Sequence, residues 1–178
     1  MDTLEYLLNE CGKALRNVGP AEREHLSGLI TSAKRIFIFG VGRSGLIAQT
    51  FAVRLVQLGF RVNFIGDMTT PIIARGDLII LVSNTGSTMS IVKTAEIAKR
   101  IGSHVYSVTS ERDSDLAANS DDVLLIGSRR GKTTAAEAPL GTVFEGAAFL
   151  FFDSMVPELM RKLGATEEDM RNRHAIWV

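Results

Sequence analysis

A chain of 178 residues with 46% hydrophobic content can bury one sizeable core and has little left for a second, so a single domain over residues 1–178 is expected. Twenty basic residues balance twenty acidic ones, which excludes a general field drawing the molecule to nucleic acid or an anionic membrane and makes any anion site a local one. The single cysteine, Cys11, excludes an intrachain disulfide and a thiolate metal cluster, and with an acidic start and no apolar run near ~18 residues the expectation is a soluble cytoplasmic protein.

Along the chain, Leu4, Leu7, Leu8, Cys11, Leu15 and Val18 recur at helical spacing, and Val18-Gly-Pro20 closes that first helix. A second helix is predicted from Ala21 to about Ala33. The period then changes, because Arg35–Phe39 is a short run of aromatic and β-branched residues ending at Gly40, as in a buried parallel strand. Ser44–Leu58 is helical again. Strands at Arg61–Ile65, Asp77–Val82, His104–Thr109 and Asp122–Ile126 alternate with helices at Thr88–Ile101 and Ser114–Ala118. A loop with Arg129, Arg130 and Lys132 follows, a basic patch able to steer an anion or simply solvated. Gly141–Leu163 is the longest helical stretch, with Val143, Ala147, Leu150, Phe151 and Met155 on one face, and Thr166 caps a short helix before the tail. This alternation predicts an α/β fold: one doubly wound domain with a mostly parallel five-stranded sheet, N-terminal helices over about 1–33 and C-terminal helices over about 141–178.

Two strand-to-helix loops carry the chemistry. Gly40-Val-Gly-Arg-Ser-Gly45 follows a strand and opens a helix, where backbone amides and the helix dipole favour an anion and Arg43 can pair with a phosphate, with a sugar oxygen or in a plain surface salt bridge. The same glycines also match a dinucleotide fingerprint, with Asp67 as a possible ribose acid, or a plain tight turn. The second loop, Ser83-Asn-Thr-Gly-Ser-Thr88, crowds four hydroxyls into one turn, enough to receive a phosphate, although a capping cluster for the following helix would look similar.

The pair of loops resembles the sugar isomerase (SIS) domain family, with Thr85 where its phosphate loop usually has a second serine. Carried over by position, the resemblance implies that Ser44, Ser83, Thr85 and Thr88 hold a phosphate together with backbone from Asn84, Gly86 and Ser87. Within that family, Phe37–Gly45, Pro139-Leu-Gly-Thr-Val-Phe-Glu145 and Arg173-His174 are most similar to the 6-phospho-3-hexuloisomerases. The likeness implies interconversion of D-arabino-hex-3-ulose 6-phosphate and fructose 6-phosphate in the ribulose monophosphate pathway. It also implies no metal or organic cofactor, a homo-oligomer with a tetramer favoured, and functional pairing with a hexulose-phosphate synthase. Other phosphosugar isomerases, such as those of arabinose 5-phosphate, and phosphosugar-sensing SIS modules are the alternatives.

The reaction needs a carbon base and a proton shuttle between two oxygens. Glu145, in the first turn of the long helix, is the expected base, shielded enough for desolvation to tune it, with a solvated first-turn acid as the bland alternative. Gly146 follows it where many relatives carry a second acid, so Glu145 is expected to act alone. His174 is the expected shuttle, able to reach a neighbouring subunit's pocket from the tail, or else an ordinary surface histidine. His25 and His104 are expected to be structural.

Overall fold

The computed structural model describes residues 2–127 and 136–176. Five strands, β1 (Ile36–Gly40), β2 (Val62–Phe64), β3 (Leu78–Val82), β4 (His104–Thr109) and β5 (Asp122–Leu125), form one parallel sheet in the order β2-β1-β3-β4-β5. Helices α1 (Thr3–Ala14) and α2 (Pro20–Ser32) precede it. Then α3 (Gly42–Gln57), α4 (Met89–Ile101) and α5 (Asp115–Ala118) connect its strands, and α6 (Thr142–Leu163) and α7 (Glu167–Asn172) close the chain. All five expected strands are present within a residue or two of their predicted ends.

Side chains alternate through the sheet to build two apolar layers. Ile36, Ile38, Leu78, Ile80, Val82, Tyr106 and Val108 point to the side covered by α1, α2, α3 and α6. Phe37, Ile79, Leu81 and Val105 point to the other, against Ile91, Ala95 and Ala98 of α4 and Leu116 of α5. The chain runs left from β1 to β2 and then right from β3 onward. Right-handed crossovers therefore put α3 and α4 on opposite faces, and the reversal lies between β1 and β3.

The first helix is shorter than its apolar spacing suggested. It stops at Ala14, and the amides of Arg16 and Val18 reach back only three residues, to Lys13 and Leu15. Pro20 sets this end: it opens α2 at the first helical position and forces an extended Gly19 before it.

Helix α6 crosses the larger core layer, where the rings of Phe152 and Phe51 of α3 stack with centroids 4.4 Å apart. With its lead-in from Pro139 it is, among the described residues, the one helix long and apolar enough to cross a membrane, but half of that stretch is buried inside the fold. Its composition reflects packing on α1, α2 and α3. A Phe152→Ala variant should lose about 3–5 kcal/mol of unfolding free energy in urea titration, the cost of an unfilled aromatic site; a near-neutral result would show that α6 is not fastened here.

Candidate active site

The register of the sheet sets two loops side by side. Gly40, the last residue of β1, is paired with Val82, the last residue of β3, so Val41–Ser44 and Ser83–Thr88 leave neighbouring strands at the same level. This is the crevice at the carboxyl ends of the strands where the strand order reverses, the usual ligand position in open α/β sheets.

In the first loop the chain turns so tightly that strand and helix touch. A Cβ on Gly45 would stand 2.5 Å from the carbonyl oxygen of Gly40, and one on Gly40 would stand 2.9 Å from the Gly45 backbone, so both positions exclude a side chain. Ser44 is buried in the first turn of α3, and among the described residues its hydroxyl makes no hydrogen bond. In the second loop Ser83 is buried, its Oγ accepting from the Gly86 amide at 3.2 Å and lying 3.4 Å from Thr88 Oγ1. Gly86 has φ +62°, and a Cβ there would fall 2.2 Å from Ser114 Oγ. The Ser87 hydroxyl donates to Thr85 Oγ1 at 2.9 Å. Thr88 occupies the N-cap position of α4, yet its side chain makes no capping hydrogen bond. The hydroxyl cluster is therefore not consumed by helix capping.

Glu145 stands in the first turn of α6 and is 5% exposed. Its Oε2 accepts from Nε of Arg43, whose side chain is 67% exposed. Of the partners open to Arg43, the structure shows the salt bridge, formed from the first loop to this carboxylate. A buried carboxylate with a single guanidinium partner outweighs a fully solvated phosphate position for Arg43, since leaving Glu145 buried without a counter-charge is the costlier arrangement. Cys11 of α1 supports the same turn, with its thiol directed at the Val143 carbonyl at 3.6 Å and burial pushing its pKa up. A Cβ at position 146 would stand 2.9 Å from Cys11 Sγ, which accounts for glycine beside Glu145.

His174 is not brought to this place. Arg173, beside it, hydrogen-bonds the carbonyl of Gln57 at 3.4 Å, at the carboxyl end of α3, whereas the candidate site is at the amino end of that helix. Sixteen residues of helix separate the two ends by about 24 Å. His174 is exposed, with Nδ1 2.9 Å from the Ala175 carbonyl oxygen. A resemblance at the residue level carried no information on which end of the sheet the tail would occupy. His25 and His104 are structural, their Nε2 atoms lying 3.0 and 2.6 Å from the two carboxylate oxygens of Asp122. Arg129, Arg130 and Lys132 lie outside the described residues. Among the described residues no group of three histidines, cysteines or acids is arranged to hold a metal.

Two contacts had no sequence signal. Asn84 binds Ser110 in the loop after β4 and abuts Gly141 at the start of α6, so the phosphate-type loop touches the segment carrying Glu145. Residues 26 and 57 positions from Asn84 have no periodic relation to it.

Hydroxyls and amides on two adjacent loops, with a buried carboxylate tied to the first loop through Arg43, are groups able to hold a phosphate monoester and present its carbon chain to a base. A family model described as the SIS domain matches residues 29–145, and the chain belongs to the SIS domain family. The 3-hexulose-6-phosphate isomerase of Bacillus subtilis is 35% identical over 98% of this chain and 98% of its own. That of Methanocaldococcus jannaschii is 38% identical over 82% of this chain and 78% of its own. A crystal structure of a Methanococcus jannaschii protein, from which a 3-hexulose-6-phosphate isomerase function was inferred, is 32% identical, covers 100% of both chains and superposes with a TM-score of 0.89. Within its family, this protein is an isomerase.

If Thr88 is held for a ligand and not as a cap, Thr88→Ala should leave the unfolding free energy within about 0.5 kcal/mol of the parent, against the ~1 kcal/mol that loss of a working N-cap costs. Inorganic phosphate should bind that variant more weakly. The reverse pattern, lost stability with phosphate affinity retained, would return Thr88 to a capping role.

Proposed function

We propose that this isomerase interconverts D-arabino-hex-3-ulose 6-phosphate and fructose 6-phosphate through a cis-enediol, as in the ribulose monophosphate pathway. The observation that carries the chemistry is the buried Glu145 carboxylate facing Arg43 beside the hydroxyl loop. Relatives named 3-hexulose-6-phosphate isomerase and matched over most of their length support the substrate.

In this reading the phosphate lies on the hydroxyls of Ser44, Ser83, Thr85 and Thr88 and the amides of Asn84, Gly86 and Ser87, and most of the binding energy comes from charge-assisted hydrogen bonds there. Anchoring at C6 brings C2 and C3 to Glu145. The carboxylate removes the C2 proton, the electron pair flows into the C2–C3 bond, and the C3 oxygen gains negative charge. Arg43, exposed at the mouth and already beside Glu145, stabilises that oxygen as an enediolate. The proton passes between the two oxygens, and Glu145 returns a proton to C3 as the carbonyl forms at C2, so base and acid are one group. His174 takes no part within its own protomer; as the oxygen shuttle it would act in the pocket of a second copy. Exposed apolar side chains on outer helices, Leu4 and Leu8 of α1, Val53 and Val56 of α3 and Leu150 of α6, support a homo-oligomer. The buried free Cys11 suits a cytoplasmic enzyme.

The test is an assay in which the hexulose phosphate is generated in place from formaldehyde and ribulose 5-phosphate, with fructose 6-phosphate read by coupled reduction of NADP in the presence of chelator. Rapid product formation is expected, and a folded protein that forms none would overturn the substrate assignment. Glu145→Gln should lower kcat by about 10²- to 10⁴-fold with phosphate binding retained, the span of a general base. Ser83→Ala should instead raise KM about tenfold, because a hydrogen bond to a charged phosphate oxygen is lost. An unchanged KM would count against the loop.

A further inference from the structure

We infer that Ser110, in the loop after β4, is a positioning residue that couples the phosphate loop to the helix turn carrying Glu145; the inference rests on the isomerase reading above. Ser110 Oγ lies 2.8 Å from Asn84 Oδ1 and 2.9 Å from the Asn84 carbonyl oxygen. That carbonyl already receives the Ser110 amide at 3.0 Å and the Thr109 hydroxyl at 3.1 Å. Its two lone pairs are thereby occupied, and the single proton of the Ser110 hydroxyl goes to Oδ1. This choice fixes the flip of the Asn84 amide, which no other side chain among the described residues determines.

Once the flip is fixed, Asn84 Nδ2 faces Gly141. It stands 2.5 Å from where a Cβ of residue 141 would be, filling the space that glycine leaves. The turn it meets is strained: Leu140 has φ +56°, the one left-handed residue other than glycine among the described residues, and Gly141 follows at φ +92°. Leu140 is 96% exposed, so burial of its side chain does not offset the strain. Such a conformation persists where its surroundings hold it. Here the Thr142 hydroxyl donates to the Pro139 carbonyl at 2.6 Å, and the Asn84 amide packs against the Gly141 backbone. Helix α6 starts from this turn, and Glu145 is in its first turn. A contiguous path therefore runs from Ser110 to Asn84, to Gly141, to Glu145, with Asn84 itself a member of the hydroxyl loop.

The Ser110→Ala variant keeps the backbone tether to Asn84 and removes only the proton that sets the amide. Kinetics with the hexulose phosphate should show kcat lowered about fivefold to tenfold, the worth of one intramolecular hydrogen bond, with KM and inhibition by inorganic phosphate within about twofold of the parent. Hydrogen exchange at the amides of residues 140–145 should quicken. Ser110→Thr, which retains the hydroxyl, should restore both. Unchanged kcat and exchange would overturn the inference, and so would a loss of phosphate affinity matching the loss of kcat, which would make Ser110 a phosphate ligand. Should Ser110→Ala fail to fold, Asn84→Asp, which removes Nδ2 at constant size, is expected to give the same kcat loss and faster exchange, and parent-like values there would equally refute the coupling. A parent enzyme without turnover would sink the isomerase reading, while the exchange measurement would still decide whether Ser110 holds the turn.

Discussion

The arrangement depends on the parallel pairing of β1 with β3. These strands are not consecutive, because the chain leaves β1 for the edge strand β2 and returns across it, and their in-register pairing from Ile36–Leu78 to Gly40–Val82 makes two loops emerge together. Slipping β3 by one residue against β1 would turn Leu78, Ile80 and Val82 out of the larger core layer. The hydrophobic alternation that stabilises the sheet thus also fixes the spacing of the ligand crevice. Above the crevice, Gly40 and Gly45 let strand and helix approach closely enough for the first turn of α3 to line it.

Against this frame the Glu145–Arg43 pair is expensive to break and modest as a source of stability. A fully buried pair that loses one partner costs about 3–5 kcal/mol. Arg43 is two-thirds exposed, so water screens it and the figure here is smaller. The pair is asymmetric: the carboxylate is buried, while its counter-charge is exposed, an arrangement that suits the proposed role of Arg43 in stabilising an enediolate. Gly146 belongs to the same design, since Cys11 occupies the space a second acid would need.

Much of the fold was legible in the sequence because its strands are short apolar runs such as Leu78–Val82, buried on both faces, and its helices are amphipathic segments between glycines and caps. The end of α1 was misjudged because Leu15 and Val18 continue a helical spacing that Pro20 does not permit in the backbone. The two loops were legible because glycines and clustered hydroxyls are local signals. The contacts that make them a site were not: Arg43 and Glu145 are 102 residues apart, and the Ser110–Asn84–Gly141 path joins three elements. The place of His174 was equally hidden, its motif being local while the position of the tail at the far end of α3 within its own protomer is a property of the packed chain.

The central claim is that one buried carboxylate moves a proton between C2 and C3. The most direct measurement is proton NMR of fructose 6-phosphate incubated with the protein in D2O. The account predicts that the C3 proton signal fades as solvent deuterium enters through the enediol, and that Glu145→Gln abolishes the exchange. Exchange undiminished in the glutamine variant would contradict it.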